Sequence, residues 1–250
     1  MSSTRSTGPS PRVSSEQGLS ELYVRFFKRV LDIVFGIIAC PFLLLFTIVF
    51  GAAIWIEDHG PVFYNAPRVG KDAVPFKMFK FRSMKVNAPD LKMPDGSTYN
   101  APDDPRMTKV GAFMRRTSID EFPQFLNVLL GTMSLIGPRP DLAEETELYE
   151  GDEGRKLEVK PGITGYAAAY ARNSIPWKER LKLDVYYVDH VSFGFDCRIF
   201  FKTIGAVFGQ KGVYNTEEML DGAALTVHGN DDRPNSNGSA ETSDRPQEDR

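Results

Sequence analysis

The chain is poor in the residues that staple a fold or hold a transition metal. Its two cysteines, Cys40 and Cys197, lie far apart in no C-x-x-C or Cys/His cluster. That excludes a disulfide framework and a zinc module, and it makes a reducing compartment the default. The three histidines, His59, His190 and His228, are scattered and no H-E-x-x-H occurs, so histidine-ligated zinc has no basis. Neither G-x-x-x-x-G-K-[ST] nor G-x-G-x-x-G is present, which removes Walker-type nucleotide hydrolysis. Net charge is also small, at −3 over 250 residues, but it is unevenly spread. Residues 216–250 hold nine acids and three bases, which leaves a mildly basic body of about +3 ahead of an acidic tail.

Charge is missing altogether from Ile33 to Ile56, 24 consecutive residues that are mostly Ile, Leu, Val and Phe. At about 1.5 Å per residue a helix of that length could reach across a bilayer core of about 30 Å. A cleaved signal peptide fits poorly, since the run is too long and too far from the start. Arg25, Lys28 and Arg29 precede the run, and the positive-inside rule places that end in the cytoplasm. A straight span would then export everything after residue 57. Pro41 lies inside the run, where it removes a helical hydrogen bond, and a helix bent there could enter and leave by one face. Hydropathy leaves both a kinked single-pass anchor and re-entry open.

The rest of the chain reads as follows. Residues 1–20, rich in Ser, Pro, Thr and Gly, form a disordered lead. Residues 61–85 are strand and turn around Gly70-Lys-Asp, and residues 86–105 form a polar loop. A helix is expected from about Val110 to Leu130, ending near Gly131. Gly137-Pro-Arg-Pro is a rigid turn, Asp141 to Leu157 an acidic helix, and Pro161-Gly162 a type II turn. Amphipathic helices follow at Trp177–His190 and Phe195–Phe208, suited to a small core or to a membrane interface. The expected architecture is α+β rather than a doubly wound sheet, because alternating strand and helix units are absent. It divides into a lead (1–20), a membrane-inserted helix (21–58), a catalytic domain (59–214) and an acidic, disordered tail (215–250).

The stretch Arg115-Arg-Thr-Ser-Ile-Asp-Glu-Phe-Pro-Gln is the richest in chemistry. Ser118-x-x-Glu121 fits a capping box, and acids in a first turn complement the helix dipole. Pro123 would then fall at the fifth helical position, so a start at Asp120 suits the proline better. Functionally, a carboxylate at such a turn flanked by guanidinium groups stays ionised and could attack an electrophilic phosphorus. Its neighbour could hold a divalent cation. Arg139, held between Pro138 and Pro140, suits bidentate phosphate recognition or is a surface turn arginine. Lys80 and Arg82 occupy alternate positions of one strand and are expected on one face. Cations interleaved with aromatics also suit nucleic acid, but a pI near 5.7 and the apolar segment argue against that partner.

Seven segments occur in an order that carries a resemblance: Lys28-Arg-Val-Leu-Asp32, Pro61-Val-Phe-Tyr64, Phe79-Lys-Phe-Arg-Ser-Met84, Asp104-Pro-Arg-Met-Thr-Lys-Val-Gly111, Thr117-Ser-Ile-Asp-Glu-Phe-Pro-Gln124, Asn127 through Gly137-Pro-Arg-Pro140, and Lys160-Pro-Gly-Ile-Thr-Gly165. Over about residues 24–212 the chain resembles the bacterial sugar transferases, the monotopic polyprenyl-phosphate phosphoglycosyl transferases. The resemblance implies transfer of a sugar-1-phosphate from a UDP-sugar to undecaprenyl phosphate, with release of UMP, dependence on Mg2+ and a covalent phosphoglycosyl-aspartate. It puts the catalytic Asp-Glu dyad on Asp120 and Glu121, with Glu121 toward the metal. Phosphate contacts fall on Lys80, Arg82, Arg115 and Arg139, and Leu183-Asp-Val-Tyr-Tyr-Val188 adds Asp184. It also implies a re-entrant helix broken at Cys40 and Pro41, in the cytoplasmic membrane with the catalytic domain on the cytoplasmic face.

Substrate logic agrees, since nucleotide sugars are made in the cytoplasm. Aromatic interfacial helices make a homodimer in the membrane a further expectation. A glycosidase is disfavoured, because adjacent carboxylates are hard to place across a sugar ring. A non-catalytic membrane scaffold, with the dyad as a mere cap, stays as the alternative.

Overall fold

The computed structural model describes residues 21–92, 99, 101, 104–171, 174–209 and 226–228. The lead at 1–20 and most of the 215–250 tail lie outside them. The uncharged run becomes one long helix because nothing in it except Pro41 opposes helix formation. A π-helical turn at Tyr23–Phe27 leads into α1, Lys28–Asp58, which ends at a left-handed His59. The break expected at Cys40 and Pro41 is not an interruption: α1 continues through the proline. One lost backbone bond is outweighed by packing on both halves. Gly36 lies against Leu129, while Leu43 and Ile54 join Phe81 and Met114 in a buried cluster.

The other side of α1 is bare. Ile37, Ile38, Phe42, Leu44, Leu45 and Ile48 are each 52–65% exposed, an apolar stripe too large for a water-facing surface. Tyr23–Asp58 spans 36 residues, so at about 1.5 Å per residue it is about 54 Å long. Both ends are tied to the same globular body. At the N-terminal end, Lys28 pairs with Asp196, and Tyr23 donates to that carboxylate at 2.6 Å. Arg29 donates to the carbonyls of Val128 and Leu129, and Asp32 accepts from Ser134 Oγ and Leu135 N at 3.0 and 2.8 Å. At the C-terminal end, Asp58 pairs with Arg82.

The body mixes helix and strand. β1, Phe63–Val69, and β2, Pro75–Phe81, form an antiparallel hairpin around the turn Lys71–Ala73. β3, Asp90–Lys92, pairs antiparallel with β6, Thr226–His228, which falls within residues 215–250. Between them lie α2, Lys109–Thr117, and α3, Gln124–Leu130, then β4, Ser134–Ile136, and α4, Ala143–Thr146. β5, Gly162–Thr164, runs parallel to β4. α5, Tyr166–Tyr170, α6, Trp177–His190, and α7, Phe193–Gly209, close the domain. Ile136, Ala169, Tyr187 and Ile199 form the core beneath these last helices.

Three local expectations fail for identifiable reasons. The single helix over 110–130 is two, α2 and α3, because Ser118 adopts a left-handed conformation at φ 59° and Pro123 restarts the chain as the N-cap of α3. The acidic helix over 141–157 is only the four residues of α4 and a 3-10 turn at Glu153–Glu158, with Gly151 at φ 52° between them. Pro161-Gly162 is no type II turn, since Gly162 has no positive φ and instead opens β5. Glycine is needed there for space.

Candidate active site

The dyad sits on a 3-10 turn, Ile119–Glu121, between α2 and α3. The Ser118 side chain caps nothing, so the capping-box reading fails and the two acids are free for other partners. What fixes the turn is the seating of α2. Thr108 Oγ1 accepts from Gly111 N at 2.9 Å, and the Glu57 carboxylate accepts from Lys109 N and Val110 N at 2.6 and 2.9 Å. The last turn of the apolar helix α1 thereby caps the helix that leads into the dyad. A Cβ at Gly111 would overlap the Ser83 carbonyl oxygen, so only glycine lets α2 lie this close to the end of the hairpin.

Asp120 is 2% exposed, and its Oδ2 is 3.2 Å from Lys80 Nζ on β2. Glu121 is partly buried, its Oε1 3.0 Å from Arg139 Nη2. Each acid thus has a cation delivered by a different segment. Arg139 is aimed by backbone geometry: Gly137 N donates to Thr164 O at 2.8 Å and Gly162 N to Pro138 O at 2.9 Å. Cβ atoms at Gly137, Gly162 or Gly165 would overlap the facing backbone. The Gly-Pro-Arg-Pro and Lys-Pro-Gly-Ile-Thr-Gly segments are therefore two halves of one clasp.

The charges act on one another strongly here. Burial pushes Glu121 up, but Arg139 and Lys80 outweigh it and hold the carboxyl below its usual range. Arg139 is raised in return by Glu121. Burial lowers Lys80 below an ordinary lysine, against the opposing pull of Asp120 and with a further push from Arg115. Arg115, in the last turn of α2, is thus within electrostatic reach of the dyad. Among the described residues no group of three or more His, Cys, Asp or Glu could hold a metal by itself. Two carboxylates fit an ion such as Mg2+ that takes most of its oxygens from water and a phosphorylated substrate.

The structure brings Lys80, Arg115, Asp120, Glu121 and Arg139 together, and it places two other candidates elsewhere. Arg82 is turned elsewhere: the strand ends at Phe81, and the guanidinium goes to Asp58 and to the carbonyls of Pro61 and Met84, the last two at 2.7 and 3.1 Å. Asp184 is buried in a network instead, with Lys156 Nζ 2.9 Å from Asp184 Oδ2 and 2.7 Å from Asp141 Oδ2. Tyr149 adds a 2.7 Å hydrogen bond to Asp141. Asp141 follows Pro140, so this network braces the arm that carries Arg139. Lys156, Asp141 and Glu57 were not singled out by sequence reasoning. The signal for Asp141 was its place directly after Gly-Pro-Arg-Pro; Lys156 gave none.

Comparison with known proteins now decides the family. The profile described as bacterial sugar transferase matches residues 23–210, from the π-turn to the end of α7. The chain belongs to the bacterial sugar transferase family. Relatives include the uncharacterized sugar transferase EpsL of Bacillus subtilis, 40% identical over 195 residues that cover 77% of this chain and 92% of that one. The UDP-glucose:undecaprenyl-phosphate glucose-1-phosphate transferase of Escherichia coli is 41% identical over 201 residues, 76% of this sugar transferase but 42% of that protein. The exopolysaccharide production protein ExoY of Rhizobium meliloti is 36% identical over 228 residues, covering 85% and 99%. This sugar transferase therefore spans nearly all of some relatives and less than half of others.

Proposed function

We propose that this protein transfers a sugar-1-phosphate from a UDP-sugar to undecaprenyl phosphate, releasing UMP, as a membrane step of surface polysaccharide or glycoconjugate synthesis. The observation that carries the reading is the buried Asp120 beside Lys80, with Glu121 and Arg139 next to it. A carboxylate oxygen of Asp120 attacks the β-phosphorus. The bond from that phosphorus to the bridging oxygen breaks, and UMP departs with the electron pair. An oxygen of the lipid phosphate then attacks the phosphorus of the aspartyl intermediate, and the Asp120 carboxylate is regenerated. The sugar–oxygen bond is untouched, so anomeric configuration is retained.

Lys80, Arg115 and Arg139 offset the pyrophosphate charge and position it, which supplies most of the rate in phosphoryl transfer. Mg2+ would be held at least partly by Glu121 and would neutralise charge on the phosphates. α1 is read as monotopic. A straight span would place one end across the bilayer, whereas Lys28 and Asp58 both bind residues of the same body. A continuous helix bent at Pro41, entering and leaving by the cytoplasmic face, would satisfy both ties, and the apolar side chains of α7, including Phe201 at 69% exposure, can rest in the interface beside it. That surface also offers a site for a homodimer.

The test is UMP release by detergent-purified full-length protein with undecaprenyl phosphate, Mg2+ and a panel of UDP-sugars. Release that requires the lipid and one particular sugar, and that Asp120→Asn abolishes, supports the reading. No release with any donor from folded protein supports the scaffold alternative.

A further inference from the structure

Among the described residues, Arg68 is a guanidinium near the arm that carries Arg139, and the account above leaves it without a task. Its register is informative. In the hairpin Tyr64 pairs with Lys80, Ala66 with Met78 and Arg68 with Phe76. Directly opposed residues share a face, so Arg68 and Lys80 project from the same side of the β1–β2 hairpin. They are separated by the length of four strand residues, about 13 Å. Ala66 and Met78, between them, are buried against Val128 and Met133. Lys80 ends on Asp120. At the other end, Val69 N donates to Asp141 O at 3.0 Å, which seats residue 68 beside the Gly-Pro-Arg-Pro arm.

The guanidinium of Arg68 is uncommitted there. Its Nε is buried without a hydrogen-bond partner, an unfavourable state for a charged donor. The carboxylates nearby are already engaged: Asp141 by Lys156 and Tyr149, and Glu145 by Leu142 N at 2.7 Å. Burial is the main influence on Arg68, with Glu145 favouring its charge and Arg139 opposing it. Arg68, with an unmet donor, and Arg139, on the neighbouring arm whose Asp141 carbonyl bonds Val69 N and which shares one hollow with Val69, form a fork for an anion with several oxygens.

We propose that Arg68 and Arg139 together grip the α-phosphate of the nucleotide, the phosphate that leaves with the nucleoside. The inference rests on the transferase reading above. With the β-phosphorus at Asp120, the α-phosphate lies one bridging oxygen further on, on the Arg139 side of the dyad. Arg68 then meets the charge that develops on the leaving group, as Lys80 meets charge at the reacting phosphorus. Binding a phosphate supplies the acceptor that Arg68 Nε lacks.

The experiment compares wild type, Arg68→Gln and Arg68→Lys as full-length protein, measuring inhibition of turnover by UMP and by uridine, together with the KM for undecaprenyl phosphate. Arg68→Gln is expected to weaken UMP inhibition about tenfold to a hundredfold, the equivalent of one or two charge-assisted hydrogen bonds. Uridine, which has no phosphate, should inhibit as before, the lipid KM should hold, and Arg68→Lys should recover part of the loss. Equal UMP inhibition in wild type and Arg68→Gln overturns the assignment. So does a parallel loss for UMP and uridine with a lowered melting temperature, which marks a folding role. A raised lipid KM with unchanged UMP inhibition overturns it too, by assigning Arg68 to the acceptor phosphate. Wild-type protein that releases no UMP from any donor defeats the transferase reading, and this inference with it.

Discussion

Glu121 owes its charge to a neighbour. Burial alone would raise its pKa, and Arg139 is the foremost of the groups that bring it below the usual carboxylate range. In the wild type the acid limb of kcat/KM should therefore lie below that range if ionised Glu121 is required. Arg139→Gln removes the largest depressing charge, so the pKa rises and the acid limb moves to higher pH. Activity near neutrality should also fall about a hundredfold, as when one preorganised donor is lost. UMP release measured across pH 4 to 8 checks both. Lys156 makes the parallel case for stability. It is 3% exposed between Asp141 and Asp184, and Lys156→Met strands two buried carboxylates. A loss of about 3–5 kcal/mol is expected, read as a lower melting temperature in detergent.

At the scale of elements, the site depends on close approaches more than on any one long helix. α2 touches the hairpin end at Gly111 and is capped by Glu57 from α1. Gly111→Ala should push α2 away from Ser83 and shift Arg115 and the dyad with it. Turnover should drop steeply even where far-UV circular dichroism stays native, and a variant with normal kcat would remove this coupling. The same contacts explain what the sequence revealed. Trp177–His190 was legible to the residue, because its apolar spacing is strictly helical and no breaker interrupts it. The helix over 110–130 was not, because the left-handed Ser118 depends on tertiary seating. Motif order named Asp120, Glu121, Lys80 and Arg139, which the fold brings together, whereas Arg82 is turned away from them because the strand ends at Phe81 and Asp58 captures its side chain. The Lys156 network was hidden for a similar reason, since residues 141–158 carry enough acids to suggest a helix while Gly151 and the 3-10 turn fold them inward.

For the whole molecule, the arrangement ties a long apolar helix to the candidate site. α1 reaches the body at Asp196 and Leu135 near one end and at Arg82 and α2 near the other, with its apolar stripe turned outward. In a monotopic protein, single cysteines placed at Glu21 and at Gly60, in a background with Cys40 and Cys197 replaced by serine, should react with a membrane-impermeant thiol reagent from the cytoplasmic side only. Labelling of position 60 from the opposite side would mean a span. The central claim concerns Asp120, and the most direct measurement is the intact mass of the protein after incubation with its UDP-sugar donor and Mg2+ in the absence of undecaprenyl phosphate. The account predicts a mass increase of one sugar phosphate, located on Asp120, discharged by added undecaprenyl phosphate and absent from Asp120→Asn. Turnover by Asp120→Asn at the wild-type rate, or an adduct on another residue, would contradict it.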